Sequence, residues 1–333
     1  MQLKTQKCNF FCIFAPQNKI LPQPMKILVA YAIPKEPFAQ LPSDWTVIFP
    51  EREYFTDEEL IAQISDCDVL LSTFNRKVPN AVIDAGTKLK LISNFGVGFN
   101  NIDVAYARQK GIAVTNTPKA VTNPTAEHTM ALLLSISLRV AECNMRLRSE
   151  KETMWGMMKN LGHSVEGKTL GIIGMGRIGQ SVARKAQAFD MHVIYHNSNT
   201  RVDSYEYAAL DDLLKRSDYV SLHIPYNPST HHLIGETQLN LMKPTAVLIN
   251  TARGSVVDEK ALVQALNNKK IAGAALDVFE NEPTITEDLY AMPNVVMTPH
   301  TATGTVETRT KTCEEAIQNI LNFANGTPTN IVN

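Results

Sequence analysis

The chain lacks the features that mark a charged or membrane-bound partner. Its 333 residues carry 32 basic and 33 acidic side chains, which leaves a formal net charge of −1. No polybasic block or low-complexity stretch stands out, so we expect neither nucleic acid nor an anionic membrane as a partner. No apolar run reaches the length of a transmembrane helix. The expected partner is therefore a small molecule.

The cysteine and histidine patterns argue against a metal site. The five cysteines are scattered, and apart from the lone Cys8–Cys12 pair they lack the spacing of metal ligands. The histidines add only the adjacent pair His231 and His232, which we expect on a surface loop. No G-x-S-x-G elbow is present, so a serine nucleophile is not expected either. Scattered thiols fit the reduced cytoplasm, where we expect the protein. The cysteines are Cys8, Cys12, Cys67, Cys143 and Cys313.

Short β-branched runs alternate with longer helix-like stretches from residue 25 onward. Five runs come first, namely ILVAY, TVIFP, DVLLST, KLISN and IAVTN. Six more begin near Thr169, namely LGIIG, HVIYH, YVSLH, AVLIN, AALDV and NVVMT, and six is the strand count of a doubly wound nucleotide-binding fold. This alternation predicts parallel sheets, and we expect two α/β domains.

Residues 1–24 are interpreted as an N-terminal extension. Lys4 and Lys7 precede an apolar run at residues 10–15 that faintly resembles a signal peptide. The run is too short for one, and Asn9 interrupts the sequence between Lys7 and the run. The first domain is therefore expected to begin at Met25.

A glycine turn stands between two predicted strands in residues 168–197, KTLGIIGMGRIGQSVARKAQAFDMHVIYHN. Gly174 permits a tight turn, and Gly176 leaves the backbone room to approach a pyrophosphate. Gly179 lets the following helix pack against the strand, so that the helix N-terminus faces the anion. Because both flanking strands and the helix are present, the segment predicts a dinucleotide-binding unit.

Three polar residues follow three different predicted strands of the second domain. Arg253 lies in LINTARGSVVDEKAL, Glu282 in IAGAALDVFENEP and His300 in NVVMTPHTA. Such a set suits the reduction of a carbonyl beside a carboxylate: the arginine holds the carboxylate, the histidine donates a proton, and the glutamate orients the imidazole. Taken singly, each has an ordinary alternative as a capping arginine, a solvated acid or a strand-end histidine. Their combination beside a nucleotide fold favours catalysis.

The segments NTARG, ALDVFENEP, TPH and GMGRIG resemble the signature segments of the D-isomer-specific 2-hydroxyacid dehydrogenases, over essentially all of residues 25–333. The resemblance implies that Arg253, Glu282 and His300 form the catalytic set. It also implies that Asp277 contacts the nicotinamide carboxamide of the cofactor.

The resemblance further implies an α/β architecture of two Rossmann-like domains. One is a doubly wound parallel-sheet nucleotide domain over residues 124–301. The other is a flavodoxin-like substrate domain made of residues 25–123 and 302–333, with a closing helix at about 306–325. The active site would lie in the cleft between them, where hinge closure excludes water.

Substrate and cofactor contacts follow from the same resemblance. Residues 93–103, SNFGVGFNNID, resemble the family's substrate-carboxylate loop, with backbone amides around Val97 and Gly98 as donors. A purely structural glycine turn is the alternative. The implied cofactor contacts are Arg177 and Ile178 along the pyrophosphate, Pro225 beside the adenine, and Thr251 and Ala252 near the nicotinamide ribose.

Two branches of the family fit the sequence poorly. Formate dehydrogenases carry a glutamine where Glu282 stands, and long phosphoglycerate dehydrogenases continue into a regulatory domain, for which the 33 residues after His300 leave no room. We expect reduction of glyoxylate, hydroxypyruvate or another short 2-oxo acid to the D-2-hydroxy acid. The alternatives are a phosphoglycerate dehydrogenase without that domain, and a non-catalytic NAD(H)-sensing protein of the corepressor type, although corepressors usually bear a disordered tail that is missing here.

An apolar helix is predicted from Ala126 to Arg139, or on to Arg148. It is too apolar for a solvated linker, so we expect it to form the twofold interface of a homodimer. Burial within its own chain is the alternative. The side chains expected to join it at the interface are Met145, Met154, Trp155, Met157 and Met158.

The end of the second strand of the nucleotide domain predicts the choice of cofactor. NAD-specific folds place an acid there, whose charge repels a 2′-phosphate, but this chain has Asn197. Asn197 and Ser198 could donate hydrogen bonds to a phosphate, and Arg201 could supply the compensating charge if its loop folds back. We therefore expect activity with both NAD(H) and NADP(H), with a modest preference for NADP(H).

Overall fold

A computed structural model describes residues 23–151 and 156–333. The predicted N-terminal extension falls almost wholly outside these residues, as do Cys8, Cys12, Met154 and Trp155. Up to residue 115 the strands are β1 (Lys26–Val29), β2 (Thr46–Ile48), β3 (Val69–Thr73), β4 (Leu91–Phe95) and β5 (Ala113–Thr115), and the α-helices are α1 (Asp57–Ile64), α2 (Asn80–Ala85) and α3 (Val104–Gln109).

The remaining elements follow in chain order. They are α4 (Thr122–Ser137), α5 (Val140–Ser149), β6 (Thr169–Ile173), α6 (Arg177–Gln187), β7 (His192–His196), β8 (Glu206–Tyr207), α7 (Leu210–Arg216), β9 (Tyr219–Leu222), α8 (Glu236–Leu241), β10 (Val247–Asn250), α9 (Glu259–Asn267), β11 (Gly273–Leu276), α10 (Glu287–Tyr290), β12 (Val295–Met297) and α11 (Val306–Ala324).

The first five strands form one parallel sheet in the order β2-β1-β3-β4-β5, a flavodoxin-like arrangement. Successive residues of a strand face opposite sides of a sheet. Leu28 and Ile92 accordingly pack with the apolar side chains of α1, α2 and α3. Ile27 and Leu91 pack with those of α11, so the last helix of the chain covers the other face of the first sheet.

The second sheet is also parallel, with seven strands in the order β12-β11-β10-β9-β6-β7-β8. The order reverses next to β6, as in doubly wound dinucleotide-binding folds, and the predicted fold class is confirmed. Ile249 packs on the side of α4 and α6, and Leu248 on the side of α8 and α9. The predicted count of six strands was one too few, because β8 has two residues and shows no periodicity.

The predicted apolar helix is interrupted. Arg139 stands between α4 and α5 with φ 57°, a left-handed conformation that ends the first helix. A side chain at Gly162 would lie 2.5 Å from the Ser137 carbonyl oxygen, so the returning chain packs tightly at this corner. The helix also begins earlier than predicted, at Thr122, since Pro124 is tolerated in a first turn. In the part of the chain that the structure describes, no helix combines the length and apolar character needed to cross a membrane.

Candidate active site

A cavity of about 310 Å³ lies between the carboxyl ends of the two sheets. In open α/β sheets this is the edge where ligands bind. The side of the first sheet contributes Phe74, Val97, Gly98, Phe99 and Asn100, and the side of the second contributes Ile178, His223, Pro225, Thr251, Ala252, Arg253, Asp277 and His300, among others. Most of the residues predicted from the sequence therefore meet in one place.

His300 and Glu282 form a hydrogen-bonded pair in this cleft. His300 Nδ1 lies 2.8 Å from Glu282 Oε2, and 29% and 35% of the two side chains remain exposed, so the pair stays accessible. The main-chain N–H of Phe279 donates to the other carboxylate oxygen of Glu282 at 2.9 Å. Burial raises the pKa of Glu282, but the hydrogen bond and charge of His300, the Phe279 N–H and the charge of Arg253 together outweigh it and lower the pKa. The carboxylate is therefore ionised at neutral pH beside the His300 ring.

The backbone at the end of β12 sets the position of His300. His300 has φ 52°, a conformation that costs a residue with a side chain of order 1–3 kcal/mol. Its N–H donates to the Asp277 carbonyl oxygen at 2.8 Å, which holds this turn against β11. The ring contacts Phe74, which follows β3 in the first sheet, with 5.1 Å between ring centroids.

Arg253 is largely buried and faces the opposite wall of the cleft. Its Nη1 donates to the Ala252 carbonyl oxygen at 2.6 Å. A Cβ at Gly98 would lie 1.6 Å from Nη2, so only glycine leaves room for the guanidinium against the 96–98 loop. Burial lowers the pKa of Arg253, and the charge of Glu282 opposes that shift. Buried Asn250, which the sequence reasoning missed, shapes the turn by donating to the Arg253 carbonyl oxygen at 2.9 Å.

The loop at residues 96–98 presents main-chain donors to the cavity. Asn116 Nδ2 donates to the Val97 carbonyl oxygen, and Asn94 Nδ2 donates to that of Gly98, each at 2.8 Å. The N–H groups of Val97 and Gly98 donate no hydrogen bond to any described residue. Two free N–H groups beside a guanidinium form a site for a carboxylate. Neither asparagine was anticipated, because an isolated amide side chain carries no sequence pattern.

Asp277 is fully buried at the end of β11. Its Oδ1 accepts from Thr298 Oγ1 at 2.6 Å and from the Thr301 N–H at 2.8 Å, and Oδ2 accepts from the Ala302 N–H at 2.9 Å. Burial raises the pKa of Asp277, but these bonds and one from His128 outweigh it and lower the pKa. Since a carboxylate oxygen accepts two hydrogen bonds, Oδ2 keeps capacity for one further donor.

The glycine turn has the geometry that a dinucleotide requires. Gly174 has φ 101°, and a Cβ there would lie 2.6 Å from the His223 carbonyl oxygen. No atom lies within 4 Å of a Cβ built at Gly176, which leaves the space above it open, and a Cβ at Gly179 would lie 2.2 Å from the Gly174 carbonyl oxygen. The N–H groups of residues 176–178 donate to no described residue, so they remain free at the N-terminus of α6.

A second cavity of about 220 Å³ adjoins this turn and contains Gly176, Arg177 and Ile178. It shares Val97, Ile178 and His223 with the larger cavity. His223 was not anticipated as a lining residue. Burial lowers the pKa of His223 to about 3, and the neutral ring hydrogen-bonds through Nε2 to Ser221 Oγ at 2.8 Å.

The end of β7 carries the residues predicted to govern cofactor choice. Asn197 Oδ1 accepts from the Met175 N–H at 2.7 Å, and Nδ2 donates to Thr200 Oγ1 at 2.9 Å. The loop folds back: Arg201 Nη1 donates to the Asn197 carbonyl oxygen at 3.4 Å, and the guanidinium lies 3.4 Å from the centroid of the Tyr207 ring. Ser198 is exposed. Tyr207 was missed because β8 was missed.

The histidine pair lies in a turn between β9 and α8, as the sequence predicted for a loop. His231 is exposed and His232 is half-buried, with its Nε2 2.6 Å from Glu280 Oε1. His232 therefore takes part in a polar cluster at this loop. Within residues 23–151 and 156–333, no group of three histidine, cysteine or acidic side chains is arranged to hold a metal ion.

Comparisons with known proteins agree with this geometry. The family model of the D-isomer specific 2-hydroxyacid dehydrogenase NAD binding domain matches residues 130–302. A protein of Staphylococcus aureus (strain MRSA252) assigned as a 2-hydroxyacid dehydrogenase is 46% identical over 290 residues, 85% of this chain and 92% of its own length.

Two solved structures are similar over almost the whole chain. The TT0316 protein from Thermus thermophilus is 38% identical with a TM-score of 0.88, covering 93% of this chain and 100% of its own. An NADPH-dependent glyoxylate/hydroxypyruvate reductase from Sinorhizobium meliloti, solved with NADP and malonate, is 33% identical with a TM-score of 0.83, covering 92% and 96%.

Proposed function

The chain belongs to the D-isomer-specific 2-hydroxyacid dehydrogenase family, and from this premise we propose that it reduces a small 2-oxo acid to the D-2-hydroxy acid with a nicotinamide cofactor. The observation that carries the proposal is the convergence of three groups on one cavity: the Arg253 guanidinium, the free N–H groups of Val97 and Gly98, and the His300–Glu282 pair. The cavity volume of about 310 Å³ suits a short substrate of the glyoxylate or hydroxypyruvate class beside a nicotinamide.

The catalytic roles follow from where each group stands. Arg253 and the 97–98 amides bind the substrate carboxylate, which orients the neighbouring carbonyl toward His300. The bound cofactor supplies the hydride to the carbonyl carbon. His300 gives its proton to the carbonyl oxygen as charge develops there, and Glu282 stabilises the imidazolium before the transfer. In the oxidative direction His300 takes the proton back.

The cofactor roles are proposed on the same basis. The free N–H groups of residues 176–178 and the open space above Gly176 fit a pyrophosphate. Thr251, Ala252 and Pro225 line the cavity that the nicotinamide and adenosine ends would share. We propose that Asp277 accepts a hydrogen bond from the carboxamide through the free capacity of Oδ2.

We also propose that both NAD(H) and NADP(H) serve, with a modest preference for NADP(H). Asn197 places no negative charge at the ribose, and the folded-back Arg201 brings a cation next to it. The matched solved reductase from Sinorhizobium meliloti is described as NADPH-dependent.

A division into residues 25–123 with 302–333 and residues 124–301 is proposed as two domains that close on the substrate. The close approach of Gly98 to Arg253 across the cleft supports such a closed arrangement.

A cytoplasmic location is likewise a proposal. It rests on the free thiols Cys67, Cys143 and Cys313, and cell fractionation tests it.

A homodimer is proposed because apolar side chains are exposed along one stretch of the described chain. Between residues 138 and 161, Met157 is 95% exposed, and six further apolar side chains are at least half exposed. The six are Leu138, Val140, Met145, Leu147, Met158 and Leu161. Light scattering should give twice the chain mass of 36.9 kDa at micromolar concentration. A monomeric mass would contradict the proposal.

The function is tested by following the oxidation of NADPH and NADH with glyoxylate, hydroxypyruvate, pyruvate and bulkier 2-oxo acids. We expect turnover with a short 2-oxo acid and D-stereochemistry in the product. Tight cofactor binding with no turnover for any substrate would contradict the proposal and favour a cofactor-sensing protein of the corepressor type. Oxidation of 3-phosphoglycerate in preference to reduction of the short acids would favour a phosphoglycerate dehydrogenase.

A further inference from the structure

Glu259 is a buried carboxylate that the chemistry above leaves unused. It is only 6% exposed, at the first residue of α9, directly after the helix cap Asp258. A carboxylate removed from water needs strong hydrogen-bond donors. Glu259 Oε2 accepts from the Glu280 N–H at 2.9 Å, and Oε1 accepts from the Thr286 N–H at 3.2 Å.

These two donors lie on either side of Glu282 in the chain. One carboxylate therefore holds both ends of the loop of residues 280–286, and this loop carries the partner of His300. The hydrogen bond between the loop and His300, 2.8 Å from Nδ1 to Glu282 Oε2, depends on where the loop stands. The Glu259 side chain connects both ends of the loop to α9.

Glu280 returns the interaction. Its Oε2 accepts from the Glu259 N–H at 3.2 Å, and its Oε1 lies 2.6 Å from His232 Nε2. Asp258 Oδ2 is 4.0 Å from His232 Nδ1. The titratable side chains in contact around Glu259 include Glu280, His232 and Asp258. Residues 259 and 280 exchange two hydrogen bonds, each from the main-chain N–H of one residue to the side-chain carboxylate of the other, and these bonds join the segment after β10 to the segment after β11.

The segment that Glu259 ties down also carries Arg253. A Cβ at Gly254 would lie 1.9 Å from the carbonyl carbon and oxygen of Phe279, so the two segments are also in direct contact beside these hydrogen bonds. The position of Arg253 and the position of the Glu282 carboxylate beside His300 consequently depend on the same contacts between these two segments.

We propose that Glu259 is a positioning residue, which fixes the 280–286 loop against the Arg253 segment so that Glu282 meets His300. The inference rests on the proposed function for its catalytic consequence. It extends that function to a residue that touches neither the substrate nor the reacting atoms.

Two substitutions separate positioning from general stability. Glu259→Ala removes both acceptors, whereas Glu259→Gln keeps the shape and one acceptor oxygen. We expect kcat to fall about tenfold or more in Glu259→Ala, with a smaller change in KM, because a misplaced catalytic pair affects the transition state more than carboxylate binding. Glu259→Gln should recover most of the lost activity.

The pH dependence of the reductase activity distinguishes positioning from destabilisation, because a loss of stability alone does not shift it. Reduction needs a protonated imidazole, so activity falls as pH rises, and loss of the Glu282 contact should move this fall to lower pH by about half a unit or more. The other charges near the pair are Arg253, Asp277, which is engaged by Thr301 and Ala302, and Arg309 on the Phe74 ring. Adding Glu259→Ala to Glu282→Gln should produce no further shift, because the first acts through the second.

Asp218→Asn is the matched control. Asp218 also accepts a hydrogen bond from a main-chain N–H, that of Thr169 at 2.9 Å, but it precedes β9 and so stands at the amino ends of the strands, away from the cleft. We expect this variant to lower the melting temperature without moving the pH profile. An equal shift in Asp218→Asn would overturn the proposal, because it would show a general loosening of the domain.

The decisive measurement is an NMR titration of the His300 ring signal, identified by its loss in His300→Gln, in the full-length wild type and in Glu259→Ala without substrate. A lower titration midpoint in Glu259→Ala supports positioning, and an unchanged midpoint in a folded Glu259→Ala overturns it. If the alanine variant does not fold, Thr286→Pro is judged by the same criterion, because it removes an N–H that donates to Glu259 at a residue whose φ of −58° proline can adopt. Absence of turnover in the wild type would contradict the proposed function alone, since the titration needs no turnover.

Discussion

The two sides of the cleft carry different chemistry. The side of the five-stranded sheet presents main-chain N–H groups at Val97 and Gly98 and the ring of Phe74. The side of the seven-stranded sheet presents the charged groups Arg253 and Glu282 together with His300. Both members of the proton-donor pair follow strands of the seven-stranded sheet, and the opposite side adds the Phe74 ring against His300. The groups that bind the substrate carboxylate come from both sides, Arg253 from one and the N–H groups of Val97 and Gly98 from the other. Carboxylate binding therefore depends on the distance between the two sides.

The largest effect is expected when the proton donor of the seven-stranded side, His300, is removed, and this tests the difference between the two sides most strongly. His300→Ala should lower kcat by about 10²–10⁴, the range for loss of a general acid, with little change in the binding of a non-reacting 2-oxo acid analogue. Steady-state kinetics and calorimetry check the two parts. The exposed His192, at the start of β7, offers the control His192→Ala, which should behave as wild type. Unchanged kcat in His300→Ala would refute the role of the seven-stranded side.

The second largest effect is expected when the carboxylate-binding guanidinium of Arg253 is removed. Arg253→Ala should raise KM and lower kcat together, by about 10²–10³ in kcat/KM, since the guanidinium contributes to both ground and transition states. Arg253→Lys keeps the charge but loses the planar fork, so it should recover only part of the loss. Wild-type kinetics in either variant would show that the carboxylate binds elsewhere.

A change confined to the five-stranded side sharpens the comparison. In Gly98→Ala the new methyl group would meet Arg253 Nη2 at 1.6 Å, so the guanidinium must move or the cleft must stay open. We expect kcat/KM to fall about 10²-fold, chiefly through KM. Gly235→Ala is the control, because its Cβ would have no atom nearer than 3.6 Å. Equal behaviour of the two variants would contradict the contact across the cleft.

The smallest effect is expected at the cofactor. Asn197→Asp keeps an acceptor for the Met175 N–H but adds a negative charge, so kcat/KM should shift toward NADH by about tenfold, or ~1.4 kcal/mol. Arg201→Ala should shift selectivity in the same direction by removing the cation. A wild-type preference for NADH of tenfold or more would contradict our interpretation of the end of β7.

The sequence predicted the elements that rest on periodicity. Both parallel sheets were expected, because the apolar runs and the glycine turn are local patterns. Contacts that join distant segments were not predictable in this way. Asn94 and Asn116 hold the carboxylate loop, and Glu259 binds both ends of the loop that carries Glu282. Asn94 and Glu259 stand within the segments singled out from the sequence, but nothing local in those segments indicates which distant groups they contact.

Two local details depend on tertiary contacts in the same way. The helix from Ala126 was predicted to end at Arg139 or to continue to Arg148; α4 ends at Ser137, and α5 follows the left-handed Arg139. His232 lies in a turn, and only the tertiary fold brings Glu280 beside it.

The measurement that tests the account most directly is the pH dependence of kcat/KM for NADPH-dependent glyoxylate reduction, in the wild type and in Glu282→Gln. The bond to His300, the Phe279 N–H and the charge of Arg253 lower the pKa of Glu282, so the carboxylate is ionised at neutral pH. In the proposed mechanism this carboxylate stabilises the imidazolium that donates the proton. We predict that the rate falls as pH rises, and that in Glu282→Gln this fall moves to lower pH by about one unit or more. The same pH profile in both proteins, or no fall with pH in the wild type, would contradict the account.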